Sequence, residues 1–221
     1  MKTWLIRLSV TLNVLTLAVA AGVYFNGASL VRSFLEPMYE RKFSFFDSYP
    51  IASGATVFLG DSITEGGEWQ EVFPALRAIN RGIGGDITTG VLQRLEQVSK
   101  AAPERVFLMI GTNDLTHGPD SRDTSYQQYR EIVQRLQQES PRTEIFLQSV
   151  LPRAADKQEE VEAYNAVIAE IATATGTTFI DLYPAFLDPD GSIKDAYSND
   201  ELHLNGPGYQ LWQAQLQDYM N

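Results

Sequence analysis

His117 and His203 are the only imidazoles in this chain, and it contains no cysteine. Those counts exclude thiolate nucleophiles, disulfides, thiolate metal sites and a three-histidine zinc site. Any mechanism that needs an imidazole must use one of the two. His203 lies in Asp200-Glu201-Leu202-His203-Leu204-Asn205. A carboxylate three residues ahead of a histidine can fold back within one turn and accept the Nδ1 proton, which leaves Nε2 as a base. His117 reads as a surface loop residue. A matching hydroxyl is Ser62, in Gly60-Asp61-Ser62-Ile63-Thr64. Glycine lets the chain turn sharply out of a sheet, and a serine at the start of the next helix faces free backbone N–H groups. The same stretch also fits a capping box, Ser62-Ile63-Thr64-Glu65, which would make Ser62 purely structural. It is not the G-x-S-x-G nucleophile elbow.

Two further stretches could supply hydrogen-bond donors. Asn80-Arg81-Gly82-Ile83-Gly84-Gly85-Asp86 looks like a phosphate loop, but Ile87 stands where the last glycine of G-x-G-x-x-G belongs. Its glycines either bring a backbone N–H close to a substrate or form an ordinary turn. In Gly111-Thr112-Asn113-Asp114, the Asn113 amide could point into a cleft as a donor. Turns rich in Asn and Asp also arise for conformational reasons alone.

These residues need a scaffold that brings them together. Short apolar runs bounded by Gly, Pro, Asn or Asp predict strands at Thr56–Leu59, Arg105–Ile110, Thr143–Gln148 and Thr177–Asp181, with a weaker one at Ala75–Asn80. Helical spacing links Ile87, Val91, Leu95 and Val98, then Tyr129, Ile132, Val133 and Leu136, then Val161, Tyr164, Ile168 and Ile171. A final helix starts near Pro207 and runs through Leu211, Trp212 and Leu216. Alternation of this kind predicts an α/β fold, a parallel sheet with helices on both faces. Such sheets bind ligands beyond the carboxyl ends of their strands. Three of the four stretches follow strands, and the fourth precedes the last helix.

At 221 residues, 44% of them apolar, the chain suits one globular domain, here residues 51–221. Its net charge is −11, and the first 34 residues carry Lys2, Arg7 and Arg32 with no acid. The remainder holds 14 basic against 28 acidic residues, which disfavours nucleic acid as a partner. Residues 1–25 place Lys2 and Arg7 before an uncharged run from Leu8 to Phe25. That run reads as an N-terminal membrane anchor, with membrane contact through residues 8–25, or as a signal peptide cut after Ala18-Val19-Ala20. Either leaves the domain exported, on the periplasmic or extracellular face. Residues 26–50 read as a partly helical connection on the domain's edge.

The four stretches together, GDS, N-x-G-x-x-G, G-T-N-D and D-x-x-H in that order, resemble the SGNH (GDSL) hydrolase family over about 150 residues. Gly82-Ile83-Gly84-Gly85-Asp86, Leu151-Pro152-Arg153 and Leu202-His203-Leu204 are most similar to that family's intracellular platelet-activating factor acetylhydrolase branch. The N-terminal apolar run departs from those enzymes. The resemblance implies a flavodoxin-like three-layer α/β/α sandwich with strand order 2-1-3-4-5. It implies Ser62 as nucleophile, His203 as base and Asp200 behind it. The oxyanion donors would be the Ser62 and Gly85 N–H groups and the Asn113 amide. On this reading the chain is a serine esterase acting through an acyl-enzyme, with no metal or cofactor required. Its substrates would be short-chain, lysophospholipid or acetylated-glycan esters. Two rivals are an envelope acyltransferase with the same site and a binding module without turnover.

Overall fold

The computed structural model describes residues 36–117 and 119–220. The chain divides into two compact units, residues 1–41 and 42–221. The candidate anchor, residues 1–25, lies outside the described residues. Among the described residues no helix is long and apolar enough to cross a membrane.

Residues 36–48 are helical (α1) and lead into the second unit. There β1 (Thr56–Gly60), β2 (Ala78–Gly82), β3 (Arg105–Met109), β4 (Glu144–Gln148) and β5 (Thr178–Ile180) form a parallel sheet. Their order is β2-β1-β3-β4-β5, the flavodoxin-like order expected from the resemblance. The weak strand begins three residues later than its apolar run and continues to Gly82.

Period-two alternation divides the core between the sheet's two faces. Val57, Val106 and Ile145 lie in register, as do Leu59, Leu108 and Leu147. They share one cluster with residues of α4 (Thr88–Gln93), α5 (Glu96–Ser99), α6 (Pro119–Glu139) and α7 (Gln158–Thr175). On the other face Phe58, Phe107 and Phe146 are register neighbours stacked at centroid distances of 5.2 and 4.5 Å. Trp69, in α3 (Trp69–Val72), stacks on Phe58 at 3.9 Å, and Trp212 of α9 (Gly206–Leu216) meets Trp69 edge-on at 4.7 Å. Large flat side chains of this kind bury the most apolar area per residue. α2 (Ser62–Glu65) and α8 (Tyr183–Phe186) are single turns.

Two details differ from the sequence reading. The helix expected across Ile87–Val98 is two pieces, interrupted at Arg94 and Leu95. Leu95 N–H and Gln97 N–H reach back only three residues, to Leu92 O and Arg94 O, so the chain tightens there. The capping box is also absent. Asp61 is the N-cap of α2, its Oδ1 accepting the Ile63 N–H at 3.0 Å, and Ser62 is the first helical residue.

The register aligns the strand ends. Gly60 pairs with Gly82 on one side and Met109 on the other, so the chain leaves β1, β2 and β3 at one level. Glycine is required at two of these exits. A Cβ on Gly60 would sit 2.2 Å from Met109 O, and one on Gly82 2.2 Å from Glu65 N.

Candidate active site

Ser62 lies one residue beyond the end of β1, in the first turn of α2, half-buried. Its Oγ lies 3.0 Å from His203 Nε2. His203 Nδ1 lies 2.7 Å from Asp200 Oδ2. The other carboxylate oxygen of Asp200 accepts the backbone N–H of Leu202 at 3.1 Å and of His203 at 2.7 Å. The carboxylate therefore orders its own loop while it holds the ring. With Nδ1–H donated to Asp200, Nε2 carries the lone pair that faces the serine. That loop is a tight one. Glu201 adopts φ +60°, and an isolated antiparallel bridge between Ser198 and Leu204 closes it. The hydrogen bond to His203 is the main cause that holds the Asp200 carboxyl down at about 2, so it stays ionised over any working pH. Both side chains are nearly half exposed, 45% for His203 and 47% for Asp200, so the site is an open ledge.

The glycine loop after β2 comes alongside. A Cβ on Gly84 would lie 4.0 Å from that of Ser62. Gly85 is exposed, with φ +75°, which favours glycine. Asn113, after β3, donates its Nδ2 to Asp86 O at 2.8 Å, which fixes its amide against the same loop. Ser62, Gly85, Asn113, Asp200 and His203 thus come from four separate stretches to the carboxyl ends of the strands. The backbone of His117 ends a 3-10 turn, Asp114–His117, and its side chain lies outside the described residues.

The sequence of the GDSL-like lipase/acylhydrolase family matches residues 58–211 of this chain. The chain belongs to that family. It is accordingly an enzyme, a carboxylic ester hydrolase of the GDSL type. It is similar to the human platelet-activating factor acetylhydrolase IB subunit alpha1, 32% identical with 69% of each chain covered. The alpha2 subunit from Rattus norvegicus is 29% identical, with 69% of this chain and 70% of that one covered. Among solved structures, a Streptococcus pneumonia protein named for platelet activating factor superposes with TM-score 0.80. It is 28% identical and covers 88% of this chain and 98% of its own. A GDSL-like lipase from Bacteroides thetaiotaomicron shares the fold, with TM-score 0.72, 24% identity, and 82% and 96% of the two chains covered.

Three residues of this GDSL hydrolase bear on the site but were not read from its sequence as doing so. Arg94, fully buried, donates to Gly60 O, Arg81 O and Asp86 Oδ2 at 2.8–2.9 Å. It ties the ends of β1 and β2 to the residue that holds Asn113. A charged residue at the core-facing i+3 slot between Val91 and Leu95 was the available signal. Glu65, the acid of the alternative capping-box reading, accepts the Gly84 N–H at 2.7 Å. Asp61, directly beneath the serine, is 1% exposed. Burial pushes its carboxyl up to about 7, against the opposing pull of the Ile63 N–H.

Proposed function

We propose that this chain is a serine esterase that removes short acyl groups, acetyl foremost, through an acyl-enzyme on Ser62. The observation that carries the reading is the continuous chain Ser62 Oγ–His203 Nε2 at 3.0 Å and His203 Nδ1–Asp200 Oδ2 at 2.7 Å. His203 takes the hydroxyl proton as Ser62 Oγ attacks the ester carbonyl. The tetrahedral oxyanion is stabilised by the N–H groups of Ser62 and Gly85 and by the Asn113 amide. The C–O bond to the alcohol then breaks, and the alcohol leaves with the proton returned by His203. Water, deprotonated by the same imidazole, attacks the acyl-enzyme and releases the acid.

Short acyl groups are supported by the open ledge, whose exposed His203, Asp200 and Gly85 leave little wall to bury a long chain. The acetylhydrolase names of relatives 29–32% identical favour acetyl. Residues 1–25, with Lys2 and Arg7 before the apolar run, support export and a membrane tether. That would place the site at the envelope, within reach of lysophospholipid or acetylated glycan. Hydrolysis of p-nitrophenyl acetate, butyrate, octanoate and palmitate tests the acyl preference. We expect kcat/KM to fall with chain length and to vanish in Ser62→Ala. A kcat/KM that climbs toward palmitate contradicts the short-acyl reading, and transfer to a supplied alcohol in preference to water would make the enzyme a transferase.

A further inference from the structure

The loop that carries Gly85 is held by a two-residue bridge that leads back to Lys42, at the start of the second unit. Glu65 presents one carboxylate oxygen to each side. Oε2 accepts the Gly84 N–H at 2.7 Å, and Oε1 pairs with Lys42 Nζ of α1 at 3.1 Å. Gly84 and Gly85 are the inner residues of a turn closed by Asp86 N–H to Ile83 O at 3.1 Å. Only the second of them has positive φ, +75°, the pattern of a type II turn. In such a turn the peptide plane between the inner residues sets the direction of the Gly85 N–H. Rotation of that plane toward type I would turn the N–H to a different direction. The Ile83 N–H, bonded to Gly60 O at 3.1 Å, anchors the turn's entry, and Glu65 anchors the next plane.

From this arrangement we propose that Glu65 and Lys42 are positioning residues for the oxyanion loop, Glu65 by holding the Gly84 N–H and Lys42 by neutralising the carboxylate that does so. The inference rests on the proposed role of Gly85. A carboxylate beside a loop that must stabilise negative charge works against catalysis unless a cation offsets it. Lys42 supplies that cation from the first residue of the second unit. Both side chains are about one-third exposed (39% and 34%), so solvent and salt weaken the coupling without abolishing it. The same Lys42 Nζ sits 5.9 Å above the Phe46 ring, and Phe46 is buried against the domain. Arg81 packs on that ring too, at 4.4 Å, and donates to Tyr49 O at 2.8 Å. Residues 42–49, which carry Lys42, are therefore fastened close to the loop.

The test is a kinetic cycle on the full chain with p-nitrophenyl acetate, at low and high salt. Glu65→Ala removes the acceptor and should lower kcat roughly tenfold with KM unchanged, less than the ~10²–10³ lost when a donor is deleted outright. Glu65→Gln keeps an acceptor oxygen and should stay within about twofold of the parent. Lys42→Ala strands the carboxylate and should lower kcat several-fold at low salt, a loss that shrinks as salt rises. Lys42→Arg should restore it. The double variant Lys42→Ala/Glu65→Gln decides the matter, because with no carboxylate left to neutralise it should recover to near the parent. If the double variant stays as slow as Lys42→Ala, or if Glu65→Ala keeps full kcat, the proposal is overturned. Should Glu65→Ala fail to fold, Lys42→Ala and the double variant still settle it. Ser62→Ala run alongside separates the two levels: turnover in that variant would sink the triad reading itself, whereas an inactive Ser62→Ala beside an unaffected Glu65→Ala sinks only the bridge.

Discussion

At the scale of single residues, the site divides the work between groups that meet substrate and groups that hold them. Asn113 belongs to the first kind in our account. Its amide is fixed by Asp86 O, and Asn113→Ala should lower kcat by roughly 10²–10³ with little change in KM. A rise in KM alone would mean that Asn113 binds the ground state instead. Asp61 belongs to the second kind and supplies a pH signature. Its carboxyl, raised by burial from an ordinary 3.8 to about 7, binds a proton more tightly in the folded than in the unfolded chain. Between about pH 4 and 7 the native state therefore holds the extra proton, and stability should fall as pH rises, by at most about 1.4 kcal/mol per pH unit. Asp61→Asn keeps an oxygen for the Ile63 N–H and should flatten that decline in thermal melts from pH 4 to 8. An unchanged slope would show that another group is responsible. The pairing of Asp200 with His203 was legible in the sequence because D-x-x-H closes on itself within four residues and only two histidines exist. The parts played by Asp61 and Glu65 were not legible there. The S-x-x-E spacing fits a cap, but Glu65 finds its donor on Gly84, nineteen residues away, only after β1 and β2 align.

Elements set the precision of these contacts. Helix α4 ends where Arg94 turns inward, and that one guanidinium spans Gly60 O, Arg81 O and the Asp86 carboxylate. Arg94→Met should destabilise the domain by about 3–5 kcal/mol, since it leaves Asp86 buried without its cation. Denaturant unfolding measures this, and a cost below ~1 kcal/mol would contradict the clamp. The strands were readable because each is a short apolar run bounded by breakers, and Phe58, Phe107 and Phe146 show the alternation that a covered sheet needs. The break at Arg94 and Leu95 was not. Local periodicity continues straight through Val91, Leu95 and Val98, and the cause of the interruption was not visible in it. The single turn of α8 and the closed loop around Glu201 escaped for a related reason. They are too short for periodicity, and a positive φ at a glutamate has no signature in the sequence.

At the scale of the molecule, the strand order β2-β1-β3-β4-β5 puts β1 between β2 and β3, the strands whose following loops carry Gly85 and Asn113. A parallel sheet opens its crevice where the connections part to opposite sides of β1, and Ser62 stands at that point. The last helix then returns beside β1's loop: Tyr209 donates to Ile63 O at 2.8 Å, just after the loop that bears Asp200 and His203. The full chain should sediment with membranes if residues 1–25 tether it, or appear shortened after Ala20 if they are a cleaved signal peptide. Full-length protein free in the cytosol would contradict both forms of export. The central claim, that Ser62 attacks and His203 activates it, is tested most directly by trapping. The full chain is incubated with a fluorophosphonate or a slow acyl donor, and the labelled peptide is located by mass spectrometry. We predict one adduct, on Ser62, that is absent in Ser62→Ala, forms far more slowly in His203→Ala, and is unaltered in His117→Ala. An adduct on any other residue, or a Ser62→Ala variant that still turns over ester, would contradict the account.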